Sequence, residues 1–268
     1  MGEAKAIRVL PISSRDARKL VERYHYSRTY VNNSTLHLGV FLEEQCLGVM
    51  QFGSPLDRRK VIGLVADTKW NEMLELNRMA FSDNLPRNSE SRALGYAFRF
   101  LRKNYPFIRW VLSFSDATRS GDGTIYRASG FVLTGIKVNT QVWGKDGAEP
   151  GSRTGVTAHL RGIKRQPFVT ASVRPGIGSI KHAALTNGAS SMAKWREAGY
   201  APLVGYQLRY VRLLDSSAKL TVPVLPFSKI DELGARMHRG VRAGSAASGT
   251  PDIQSGGGGA TPTPALHL

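Results

Sequence analysis

At 268 residues the chain has room for one good core with an inserted subdomain, and nothing requires two domains. Its 37 Lys and Arg against 20 Asp and Glu give a formal charge of +17, which points to a polyanionic partner, most commonly nucleic acid, ahead of an unspecialised basic surface. A single cysteine, Cys46, excludes a disulfide framework or a thiolate zinc site; no run nears about 18 apolar residues and no apolar targeting segment opens the chain, so a soluble intracellular protein without a membrane partner is expected.

Ile7 to Pro11 reads as a short first strand. Ser13 or Ser14 then caps a helix over Ser14 to Tyr24, where Ala17, Leu20, Val21 and Tyr24 share a face. Leu36 to Leu42 and Gln45 to Gly53 form an antiparallel hairpin turning at Glu43-Glu44. Glu75 to Phe81 is a strand, and Ser82 to Asn88 is rich in turn residues. Ser89 to Tyr105 carries Leu94, Ala97, Phe98, Leu101 and Tyr105 on one helical face, with Asn88 or Ser89 as N-cap and Pro106 as the stop. The apolar run Phe107 to Ser115 reads as a strand buried on both faces, ending at Asp116. A short helix over Thr124 to Ser129 meets Gly130-Phe131, where another strand begins.

Strands alternating with helices imply parallel pairing in an α/β sheet, with ligands beyond the strand carboxyl ends, where Asp116 falls. Residues 139–200 lose this periodicity. Ten Lys and Arg face three Asp and Glu over 137–200, and Trp143, Phe168 and Trp195 interleave with them. That pattern favours a basic insertion facing nucleic acid, with a short helix near Ser190 to Glu197. Gly205 to Leu214 is a strand expected to pair with the one after Phe131 and close the sheet. Residues 241–268 are rich in Gly, Ala and Pro and read as a disordered tail following a single domain over 1–240.

Tyr126-Arg127-Ala128-Ser129-Gly130-Phe131 resembles the Tyr-x-x-x-Gly-Phe segment of GNAT-type acyltransferases. A longer set of segments is more specific. His25-Tyr26-Ser27, Leu36-His37-Leu38-Gly39-Val40, Leu76-Asn77-Arg78, Asn88-Ser89-Glu90-Ser91-Arg92-Ala93-Leu94, Ser113-Phe114-Ser115-Asp116, Gly123-Thr124-Ile125-Tyr126 and Val222-Pro223-Val224-Leu225-Pro226-Phe227 occur in that order. Together they resemble the Mom family of DNA-modification proteins over residues 8–240. The resemblance implies a GNAT-like fold with a mixed central sheet and flanking helices. It also implies conversion of adenine to N6-carbamoylmethyladenine in phage DNA, protecting it from host restriction in the cytoplasm of the infected bacterium.

Several side chains are candidates for that chemistry. Adenine N6 is hydrogen-bonded within a duplex, so the base must be flipped out of double-stranded DNA. By resemblance, Tyr126 protonates the leaving group of an acyl-CoA-type donor, and Ser91 accompanies it in the catalytic set. Asp116 is a metal ligand or general base, completed by His25 and Tyr26. Those three offer nitrogen and oxygen ligands compatible with iron, which is one option because the adenine amine is a weak nucleophile. Arg78, Arg87, Ser89 and Arg92 are candidates for the donor's phosphates, although the usual Gly-rich phosphate signature is missing and Glu90 opposes an anion there. Capping accounts for Ser89 and Ser91 taken singly. Arg28, Lys164, Arg165, Lys194 and Trp195 are candidate DNA contacts. An ordinary N-acyltransferase acting on protein, tRNA or a small amine, and a non-catalytic DNA-binding protein, are the alternatives. The donor, the target sequence and the oligomeric state are left open.

Overall fold

The computed structural model describes residues 3–25, 30–117, 121–139, 142–145, 168–170, 200–202, 205–235, 237–238 and 241–242. Strand β1 (Arg8–Pro11) leads into α1 (Ser14–Tyr24). Ser13 caps α1, its hydroxyl accepting from the Asp16 N–H at 3.1 Å. The hairpin follows as β2 (Ser34–Leu42) and β3 (Gln45–Gly53), and a connection carrying α2 (Arg58–Val61) leads to β4 (Met73–Phe81). Then come α3 (Ser89–Asn104), β5 (Trp110–Asp116), α4 (Thr124–Ala128) and β6 (Val132–Asn139). Three short strands, β7 (Val142–Lys145), β8 (Phe168–Thr170) and β9 (Tyr200–Pro202), form a small antiparallel sheet in the region expected to be irregular. Strand β10 (Gly205–Leu213) and α5 (Ser228–Glu232) complete the main body. Val241–Arg242, placed in the tail by composition, pairs with Met237–His238. The expected helix at Ser190 to Glu197 lies outside the described residues.

The main sheet has seven strands in the order β1-β2-β3-β4-β5-β10-β6. Only β4 and β5 are parallel, so the expected parallel pairing holds at one junction. Strand β10 does pair with β6 as expected, but it inserts between β5 and β6 and leaves β6 at the edge. Two side-chain layers cover the sheet. On one face, Leu38, Met50, Phe52, Val111 and Tyr210 pack under Leu94, Ala97, Phe98 and Leu101 of α3. On the other, Ala17 and Val21 of α1 cover Val49 and Ala80, while Val61 and Leu64 cover Met73, Trp110 and Leu112. Strand β5 starts three residues later than its apolar run suggests. Phe107 is half-exposed, and Arg109 is committed to ion pairs with Glu72 and Asp215. Among the described residues no helix is long and apolar enough to cross a membrane.

Candidate active site at the splayed strands

Strands β4 and β5 share only three rungs: Met73 with Trp110, Leu74 with Val111, and Glu75 with Leu112. Beyond these, β4 continues against β3 and β5 against β10. Their facing edges, Leu76 to Phe81 and Ser113 to Asp116, therefore diverge and leave a V-shaped opening bordered by main-chain polar groups. An extended chain can add to such an exposed edge by strand-like pairing.

Glu75 marks the apex, and sequence reasoning passed over it. It alternates with Leu74 and Leu76 of the α3 layer, so its carboxyl points to the α1 side. Burial drives its pKa up to about 7, only partly offset by the nearby Arg78 charge, a hydrogen bond from the Asn77 side chain and the backbone N–H of Leu56. The signal available in the sequence was a lone carboxylate within an apolar strand. Around it runs a buried polar row. Ser34 donates to the Asn77 side-chain oxygen at 3.1 Å, and His37, Gln51 and Arg78 stand in register across β2, β3 and β4. The Gln51 amide nitrogen meets His37 Nδ1 at 3.1 Å, while its fully buried Oε1 has no hydrogen-bond partner. Burial lowers the His37 pKa and keeps the ring neutral.

Asp116 ends β5 partly exposed, its Oδ1 accepting from the Asn139 side chain at 3.3 Å. Strand alternation places it with Phe114 and Leu112, on the same side of the sheet as Glu75. Tyr126 lies on the opposite side, its ring 5.2 Å from Tyr210 and 5.3 Å from Phe131 in the α3 layer. Two turns aim α4. Asp122 Oδ1 accepts from the Thr124 N–H and hydroxyl, and Gly123 adopts φ +77°, where an added Cβ would stand 2.5 Å from the Tyr210 ring. Asp116 and Tyr126 thus lie on opposite faces of the sheet. His25 terminates α1 on the Asp116 side and is 8% exposed, so it is not a solvent-facing helix end.

Of the residues expected at the start of α3, Arg87, Ser91 and Arg92 line clefts there. Arg87 and Ser91 line a cleft of about 320 Å³ with Phe81, Leu85 and Ile125, between the end of β4 and α4. Ser91 and Arg92 line a second one of about 420 Å³ with Lys5, Gly95 and Arg99. Their common wall is the first turn of α3; Asp83 and Glu90 also line the first cleft, whereas the second is lined by Lys5, Arg92 and Arg99 without a carboxylate. Ser89 takes a different role: it is fully buried and its hydroxyl donates to the Pro86 carbonyl at 2.6 Å, fixing the turn into the helix. Ser91 donates to the Asn88 carbonyl at 3.2 Å while facing both clefts. Asn88 caps by its backbone, at φ 71° in the left-handed region, and not through its side chain. Arg78 is not part of this group; it belongs to the apex on the α1 side.

Tyr26, Arg28, Lys164, Arg165, Lys194 and Trp195 lie outside the described residues. Among the described residues no three His, Cys, Asp or Glu side chains gather closely enough to hold a metal ion. His25 and Asp116 therefore do not make an iron site with any other described His, Cys or carboxylate.

A mixed sheet whose central parallel pair splays over a basic helix start defines a GNAT-like α/β fold. Solved structures resembling it include an IAA acetyltransferase from Bacillus cereus, with a TM-score of 0.39 and 11% identity over 77% of this chain and 99% of that one. A GNAT family acetyltransferase from Elizabethkingia anophelis with acetyl-CoA bound gives 0.39 and 10% over 78% and 98%. The profile of the Mom protein family matches residues 6–229, and the chain belongs to that family. A curated relative, the methylcarbamoylase mom of Escherichia phage Mu, is 43% identical over 137 residues, which is 51% of this chain. The match spans 57% of that relative's length.

Proposed function

We propose that this chain is a DNA-modifying transferase that converts adenine to N6-carbamoylmethyladenine, shielding phage DNA from restriction in the infected cell. One observation supports the reading: β4 and β5 part after three rungs, with Tyr126 packed in the side-chain layer of one sheet face and Asp116 and Glu75 on the other. A donor enters on the first face and an extruded base on the second. Membership of the Mom family and the name of the phage Mu relative support the choice of a methylcarbamoyl product.

On the donor face, backbone N–H groups at the start of α3, with Arg87 and Arg92, hold the phosphates of an acyl-CoA-type donor. Tyr126 protonates the leaving group. On the acceptor face Asp116 accepts a proton from the adenine amine, and Glu75, titrating near neutrality, is suited to relay it. Product formation requires N6 to bond to the donor's methylene carbon as that carbon's bond to the leaving group breaks, the departing group taking its proton from Tyr126 and the amine giving one up to Asp116; attack of the amine on a thioester carbonyl would leave an amide instead. His25 with Tyr26 frames the base, while Arg28, Lys164, Arg165, Lys194 and Trp195 supply phosphate contacts and a stacking surface. The excess of cations offsets the cost of extruding the base, a few kcal/mol.

The deciding experiment is mass analysis of nucleosides from DNA of cells expressing the chain. A deoxyadenosine species heavier by about 57 Da is the expected product, a carbamoylmethyl group having replaced one hydrogen. Unmodified DNA would end this reading. Asp116→Ala abolishes the species and leaves DNA affinity nearly intact. Reversing the charges of Lys164 and Arg165 weakens binding and flattens its salt dependence, read from affinities at several ionic strengths.

A further inference from the structure

The connection between β3 and β4 displays the most exposed large apolar side chain among the described residues. Leu56 is 86% exposed, and Trp70, at the other end of the connection, is 55% exposed. A loop leucine this bare is usually incidental. Here the surrounding backbone is fastened at several points. The Asn33 side chain donates to the Ser54 carbonyl, and Arg58 donates to the Ser54 hydroxyl and, at 2.6 Å, to the Trp70 carbonyl. The Arg58 guanidinium also lies 4.6 Å over the Trp70 ring. Most telling is the backbone N–H of Leu56, which is bonded to the Glu75 carboxyl. The leucine therefore stands one hydrogen bond from the apex of the opening, on the acceptor side, and its side chain is directed outward.

Its neighbours fit a polyanion. Lys60 pairs with Asp57 at 2.6 Å, and Glu72 is taken up by Arg109. Arg59 and Lys69 are exposed and make no ion pair among the described residues. A rigidly held apolar tip, flanked by cations and beside a cleft meant for a single base, has the form of a wedge. Proteins that unstack DNA insert such side chains into the base stack. An extruded base leaves a hole that water fills poorly, and an apolar group entering it is desolvated on both sides.

We propose that Leu56 inserts into duplex DNA at the position vacated by the target adenine, with Arg59 and Lys69 on the flanking phosphates. The Trp70–Arg58 stack serves as a strut that keeps the tip from folding back. The proposal rests on the reading that the chain acts on adenine in DNA, and it adds the element that opens the duplex.

The test uses Leu56→Ala and Leu56→Met in the full chain. Base extrusion is read as the fluorescence rise of a duplex oligonucleotide carrying 2-aminopurine at the target adenine. Modified nucleoside is read separately in DNA from expressing cells. Leu56→Ala is expected to lose most of the fluorescence rise and about tenfold of the product, with melting temperature and salt dependence of binding unchanged. Leu56→Met restores both. An oligonucleotide whose target base lies opposite an abasic site, already unpaired, is expected to show the same fluorescence with either variant as with the native chain. If Leu56→Ala matches the native chain in both duplex readouts, the wedge is refuted while the proposed chemistry stands. A native chain that extrudes the base yet makes no modified nucleoside refutes the chemistry, and the wedge stands if Leu56→Ala loses the fluorescence rise and falls if it does not. A native chain that does neither overturns both.

Discussion

The two halves of the β4–β5 junction are built on opposite principles. At the start of the paired half, Arg109 and Trp110 have their polar groups matched. Arg109 lies 3.0 Å from Asp215 and 3.6 Å from Glu72, and its guanidinium also reaches the carbonyls of Ala66 and Asp67. The fully buried Trp110 donates its indole N–H to Thr68 at 3.0 Å. From the last shared rung outward, buried polar atoms are left over: Glu75, at that rung, titrates near neutrality, and the Ser113 hydroxyl and, on the neighbouring β3, Gln51 Oε1 have no hydrogen-bond partner. Buried polar groups are ordinarily satisfied, and exceptions concentrate where a protein does something besides fold. One end of the pair is a hinge pin; the other is kept costly and open.

Cutting at the pin has the largest expected effect. Trp110→Ala removes a fully buried indole and its hydrogen bond, and is expected to cost about 3–5 kcal/mol of unfolding free energy. Urea denaturation measures it. If the loss were under about 1 kcal/mol, the paired half would not be the anchor that this comparison makes it.

At the apex the sign reverses. The folded pKa of Glu75 lies above that of a free glutamate, so the fold favours the protonated carboxyl. The associated stability is present below about pH 4.5, the unfolded pKa, and is lost as pH rises towards 7. Glu75→Gln removes that slope. It is expected to melt like the native chain in acid and to be more stable above neutrality, on the order of 3 kcal/mol. In expressing cells the same variant makes less modified nucleoside. Equal pH slopes in melting curves of the two proteins would show that Glu75 is not strained by burial.

How much of this contrast was legible in the sequence depends on which half is considered. Helix α3, the hairpin and β10 follow from apolar spacing, because burial imposes period 3.6 or 2 on residues such as Leu94, Phe98 and Leu208. The places of Asp116 at the end of a strand and Tyr126 within a short helix ahead of Gly130-Phe131 were readable from the sequence. The neighbour of β5 was not readable, since β10 reaches its place from far along the chain and no local pattern records which edge it takes. Glu75 and Gln51 were missed for a related reason. Their meaning arises only when three strands bring His37, Gln51 and Arg78 into one row. Arg109 misled the strand boundary because its charge is neutralised by Glu72 and Asp215, one of them more than a hundred positions away.

The donor face offers a sharper cut at intermediate size. Gly123 sits in the left-handed region, and a Cβ there would meet Tyr210 Cε2 at 2.5 Å. Gly123→Ala therefore strains the turn and pushes α4, with Tyr126, away from the opening. A loss of about 2 kcal/mol is expected, with product falling further than the folded fraction. Calorimetry alongside nucleoside analysis separates the two, and a proportionate fall would assign Gly123 to folding alone.

The smallest effect divides two serines two positions apart on the same helix turn. Ser89 is buried with its hydroxyl on the Pro86 carbonyl, so Ser89→Ala removes one of that carbonyl's two hydrogen bonds, leaving the one from the Ser89 N–H at 3.1 Å, and costs about 1 kcal/mol. Ser91 holds the Asn88 carbonyl more loosely, at 3.2 Å, and faces both clefts at the start of α3. Ser91→Ala is expected to leave the melting temperature within a degree or so, as surface changes do, yet to reduce modified nucleoside several-fold. The two variants thus exchange rank between the melting curve and the product assay. If they keep the same rank in both, the α3 turn is a cap throughout, and the donor's phosphates must be held elsewhere along the splayed edges.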